Sequence, residues 1–105
     1  MSKRLALFDK LIAGGSQDPF HHYARAMELR SIGQGEAALL GFSALCAQFP
    51  DYVPSYLMAA QLAQELGQPA LARSHASAGI AAATRAGNDH ALSELTAVLD
   101  ALPGG

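Results

Sequence analysis

His21 and His22 stand side by side, and imidazole is the commonest side-chain ligand for a metal at neutral pH. Successive residues of a helix point about 100° apart, so this pair does not converge on one ion. His75 and His90 have no zinc-type spacing to it, and a metal-dependent catalyst built on His21 and His22 is not expected. Cys46 would be the nucleophile of a thiol enzyme, but it has no evident base partner and lies in a mainly apolar run, GFSALCAQ. An inert, buried thiol is the expectation. The carboxylates are scattered: Asp18, Glu36 and Asp89 fall at or near helix starts, where the helix macrodipole favours them. No glycine loop suited to a phosphate and no Ser-His-Asp pattern is present, and Gly14-Gly15-Ser16 reads as a linker. Neither a catalytic constellation nor a cofactor is expected, so the chain reads as a non-enzyme.

Composition points the same way. The 105 residues suffice for one domain, 1–105, with a modest core that needs no metal or disulfide. Alanine supplies 22 of them, which suits closely packed helices because alanine is the best helix former. A net charge of -2 and no cluster of Lys and Arg exclude a phosphate-binding stripe, so no nucleic-acid partner is expected. The start, MSKRLALFDKLIAGG, has its short apolar stretch broken by Asp9 and Lys10 and fails as a signal peptide. No run is long enough to span a bilayer, and the lone Cys46 agrees with a reducing, cytoplasmic setting.

The elements that would position these residues are all helical. Leu5, Phe8, Leu11 and Ile12 mark one face of a leading helix over 3–13, stopped by Gly14-Gly15. Asp18-Pro19 starts a helix that runs to about Ile32 before Gly33. The next, Glu36 to Gln48, carries Ala37, Leu40, Ala44 and Ala47 on one side, with Leu45 and Phe42 close by, and ends at Pro50. Pro54 opens a helix through Tyr56, Leu57, Ala60, Ala63 and Leu66 to Gly67, and Pro69 opens an alanine-rich one ending near Gly87. Asn88 or Asp89 caps a last helix whose Leu92, Leu95, Val98, Leu99 and Leu102 form a stripe before Pro103-Gly104-Gly105.

Shifting the chain against itself by 34 residues pairs Ala26 with Ala60, Gly33 with Gly67, Gln34 with Gln68 and Ala38 with Ala72. The same shift pairs Ser43 with Ser77, Ala44 with Ala78 and Ala47 with Ala81. These identities mark two copies of a helix-turn-helix unit. With Pro19 as the first position, Ala26, Gly33, Ala38, Phe42 and Pro50 fall on signature positions of the tetratricopeptide repeat, which this chain resembles. The second copy matches at Tyr56, Ala60, Gly67 and Ala72, with Ala76 and Thr84 in place of the aromatic and the final proline. His22 stands where a bulky aromatic is usual, and Arg25 where leucine is usual. The segments DYVPSY and HALSEL are similar to parts of small stand-alone bacterial two-repeat members.

The resemblance implies an all-α fold: a right-handed superhelical stack of repeat 1 (19–52) and repeat 2 (53–86), with an N-terminal helix and a C-terminal capping helix over 88–102. One helix pair cannot bury both faces, so stacked pairs need such end helices. The family implies a protein-binding module whose first helices line a groove for a peptide or partner helix. Here that groove would present Phe20, Tyr23, Met27 and Arg30 from repeat 1, with Leu57, Gln61 and Gln64 from repeat 2; the other reading of this apolar stripe is that Phe20, Tyr23 and Met27 pack against the N-terminal helix and expose little. The alternative is a structural homo-oligomer, in the simplest case a homodimer, that uses the same surfaces. The clamp by which one branch of the family grips chaperone tails is not expected: the only lysines, Lys3 and Lys10, precede the repeats, and the only asparagine, Asn88, follows them. In QFPDYVPSY, Gln48 to Tyr56, Pro50 and Pro54 read as the seam between repeats, and Tyr52 as either a wedge or an exposed contact.

Overall fold

In the computed structural model, which describes residues 2–103, local signals at the chain's turns set the ends of six helices. These are α1 (Lys3–Ala13), α2 (Pro19–Ser31), α3 (Gly35–Gln48), α4 (Pro54–Glu65), α5 (Pro69–Ala86) and α6 (Asp89–Ala101), with no strand among the described residues. Gly104 and Gly105, read above as helix terminators, lie outside them. The Asp18 carboxylate accepts the Phe20 amide at 2.9 Å, and the Asn88 side chain accepts the Ala91 amide at 3.0 Å. Each satisfies an amide that has no partner within its helix.

The ends of α2 and α4 are alike, as the repeat requires. Gln34 donates its amide to the Leu29 carbonyl at 2.9 Å, and Gln68 does the same to Ala63 at 2.8 Å. The glycine before each, Gly33 (φ 85°) and Gly67 (φ 73°), takes the left-handed conformation that this closure demands.

Each helix packs on the next: α1 on α2, α2 on α3, α3 on α4, α4 on α5 and α5 on α6, with α6 also reaching α4. The stack measures 40 × 29 × 19 Å. Its core holds Leu29, Leu39, Phe42, Val53, Tyr56, Leu62 and Leu95 together with a run of buried alanines. Leu95 is fully buried and Leu102 nearly so, while Leu92, Val98 and Leu99 are half-buried.

Two faces differ from the sequence reading. On α3 the side marked by Ala37, Leu40, Ala44 and Ala47 mostly faces outward, with Leu40 73% exposed, and the buried side is Ala38, Leu39, Phe42, Leu45 and Cys46. Almost every residue of α3 is apolar or small, so periodicity alone does not choose a face. Burial of the bulky Leu39, Phe42 and Leu45 chooses it instead. On α1, Leu5 packs against the core and Phe8 and Ile12 are half-buried, whereas Leu11 is 37% exposed. No residue of α1 is fully buried, because this helix lies against α2 on one side only.

Candidate interaction surface

The first turn of α2 follows Asp18, which caps it and sends Phe20, Tyr23, Met27 and Arg30 along one side at spacings of three and four. Phe20 is 55% exposed. Tyr23 and Met27 are half-buried and pack against the core. The Tyr23 ring meets Phe42 edge-on at 5.8 Å and Tyr52 edge-on at 5.7 Å. Tyr52 is half-buried, its ring set against Tyr23 of the first repeat from the seam. The seam itself is closed by Tyr56, whose hydroxyl donates to the Pro50 carbonyl at 2.6 Å.

A cleft of ≈ 460 Å³ opens between α1 and α2. Phe20, Tyr23 and Met27 line it from α2, Phe8 and Arg4 face them from α1, and Glu28 sits at its edge. Glu28 ties the two helices together: it accepts the Ser2 hydroxyl at 2.7 Å and lies 4.0 Å from the Arg4 guanidinium. Arg25 pairs with Asp9 of α1. The charged residue in place of leucine at Arg25 thus has a physical reason, since the neighbouring helix supplies its carboxylate.

The structure brings together only part of the predicted groove. Leu57, Gln61 and Gln64 lie 34 residues beyond Tyr23, Met27 and Arg30, on the equivalent side of α4, but outside the cleft. Leu57 is half-buried against the core, Gln61 is half-buried and Gln64 exposed. Arg30 bridges from α2 to α4 by donating to Glu65 at 2.7 Å, so its guanidinium already has a partner. The α1 wall, Arg4 and Phe8, was missed as a site; Phe8 was legible as an inward residue, but nothing in the sequence shows that it stops short of closing over Phe20.

The titratable groups suit packing more than catalysis. Burial pushes the Cys46 thiol up to about 12, so it is protonated at neutral pH. Burial also raises Tyr23, Tyr52 and Tyr56, leaving them neutral hydroxyls. His21 meets the Ser16 hydroxyl through Nδ1 at 2.7 Å, while His22 lies 3.3 Å from the Ser16 carbonyl and sets its ring at a tilt against Phe49, centroids 5.6 Å apart. Among the described residues no three of His, Cys, Asp and Glu are grouped as metal ligands, and no helix is long and apolar enough to cross a membrane.

No family model and no curated protein matches the sequence. Solved structures do. The solution structure of a tetratricopeptide repeat domain protein from Salinibacter ruber aligns with a TM-score of 0.75 and 32% identity, over 79% of this chain and 84% of that one. A crystal structure of a tetratricopeptide repeat domain protein from the same organism gives 0.74 and 33%, over 78% and 92%. A solution structure from Bordetella parapertussis shares the fold at a TM-score of 0.77 and 23% identity, over 95% of this chain and 87% of that one.

Proposed function

The chain belongs to the tetratricopeptide repeat family, and from that premise we propose that it is a non-enzymatic interaction module holding a peptide or partner helix against α2. The observation that carries this reading is Phe20. An aromatic ring more than half exposed beside Tyr23 and Met27, with Phe8 across a ≈ 460 Å³ cleft, is an apolar anchor point with no filling of its own. Burying that ring and the adaptable Met27 would supply most of the affinity. Arg4 and Glu28 at the edge would select polar groups. The equivalent side of α4, with Leu57, Gln61 and Gln64, would extend the surface, and Arg30 would take part only by giving up Glu65. A cytoplasmic setting belongs to this reading, with which a single free cysteine, Cys46, agrees.

Phe20→Ala is the discriminating substitution, because Tyr23 also packs on Phe42 and Tyr52 and its loss would disturb the fold. In crosslinking capture from native lysate, partners retained by the wild-type chain should fall about 10-fold or more for Phe20→Ala, with helicity unchanged. Equal recovery from the two chains defeats the assignment of the cleft.

A further inference from the structure

The order of packing gives each end helix a place in the repeat. The second helix of a pair packs on the first helix of the next pair at α3–α4 and again at α5–α6, and α1 packs on α2 in the same sense. By position α1 therefore corresponds to the second helix of a pair, and α6, which rests on both α5 and α4, to a first helix.

The outward sides of the two helices are complementary. That of α1 carries Lys3, Leu7 and Lys10, all exposed, with Leu7 at 55%. That of α6 carries Asp89, Ser93, Ala97 and Asp100, all exposed. None of these four charged side chains is in an ion pair among the described residues. Lys3 sits in the first turn of its helix and Asp100 in the last turn of its own, each where the macrodipole disfavours that sign. Small residues on α6 would let the Leu7 side chain approach closely, as Gly79 does for Tyr56 and Leu95 within the stack.

We propose that the occupant of the exposed α1 face is a second copy of this chain: α6 of one molecule docks against α1 of the next, its acidic side against the basic one. The contact is head-to-tail and leaves the Phe20 cleft free, so it does not depend on the reading given above. A heterologous contact that does not close on itself propagates. The acidic and basic ends set its direction and make it sensitive to salt.

Sedimentation of the full, untagged chain over a dilution series up to about 1 mM tests this. The mean mass should climb past that of a dimer at low salt and fall back at about 0.5 M salt. Lys3→Glu/Lys10→Glu should be monomeric throughout, and so should Asp89→Lys/Asp100→Lys. An equimolar mixture of the two should associate again, because each restores the other's opposite charge. Should the Asp89 change cost helicity, Asp100→Lys alone serves, since lysine is favoured at a helix C-terminus. A wild-type chain that stays monomeric overturns the proposal. So does association undiminished in either charge-swapped chain, a mixture that stays monomeric, or association abolished by Phe20→Ala.

Discussion

Where α3 carries Leu45, α5 carries Gly79 at the equivalent position, and where α2 carries His22, α4 carries Tyr56. The same exchange recurs along the register: Leu29 answers to Ala63, Phe42 to Ala76 and Phe49 to Ala83. Repeat 1 fills the space between its helices with large side chains, Leu29, Leu39, Phe42 and Leu45 all being buried. Repeat 2 removes the space. Ala72, Ala76, Gly79, Ala82 and Ala83 line α5, and a methyl group added at Gly79 would come within 2.5 Å of the Tyr56 Cβ and 2.9 Å of Leu95. Identical topology is thus reached by filling in one repeat and by close approach in the other, and the two should fail in opposite ways when side-chain volume is changed.

The largest contrast is expected at the Phe42–Ala76 pair of positions. Phe42 is fully buried, so Phe42→Ala should cost about 3–5 kcal/mol, a large share of the whole stability of a domain this size. Ala76→Gly, the matching truncation in α5, should cost only about 1 kcal/mol, chiefly helix propensity. Urea unfolding followed by circular dichroism measures both, and equal losses would break the contrast.

The Leu45–Gly79 positions sharpen it, because the same small residue should harm both repeats for different reasons. Leu45→Ala opens a cavity and should cost about 2–5 kcal/mol. Gly79→Ala improves helix propensity by about 1 kcal/mol yet overpacks against Tyr56 and Leu95, for a net loss of about 1–3 kcal/mol. A rise in the thermal midpoint of Gly79→Ala would show that α5 can back away from α4 at little cost, and close approach would lose its role.

The smallest effect concerns charge. His75 in α5 corresponds to Gly41 in α3, so only repeat 2 has a titrating group at this position. The His75 ring meets the Ser43 hydroxyl through Nε2 at 2.9 Å, and burial lowers its pKa below the ordinary value of 6.5. The unfolded chain then takes up this proton more readily than the folded one. The neutral ring's contribution is complete above the ordinary value and is lost as pH falls through it toward the lower folded one. Between about pH 7 and pH 5, His75→Gln should show a smaller drop in urea midpoint than wild type. An unchanged drop would show that His75 carries none of the pH sensitivity.

How much of this was legible follows from the range of the forces involved. Asp18-Pro19, Pro54, Pro69 and the glycines after α2 and α4 announce helix ends because capping and backbone sterics act among residues a few places apart. The repeat was legible for the same reason, being a recurrence of those punctuation marks. Tyr52 could not be assigned from the sequence, since its partner Tyr23 belongs to another helix. In the candidate site, Phe20, Tyr23 and Met27 were legible as one side of α2. The opposing wall, Arg4 and Phe8, was not, because it depends on how far α1 stands off.

What the sequence determined by itself is the number of helices, their limits and the repeat that relates them. Tertiary structure alone decided which side of α3 is buried, that Leu11 turns outward, and that Gly79 is a point of contact between helices. A helix with apolar residues on every side has no preferred rotation until its neighbours arrive. Only then do the bulky side chains find space, and a missing one permits two backbones to meet.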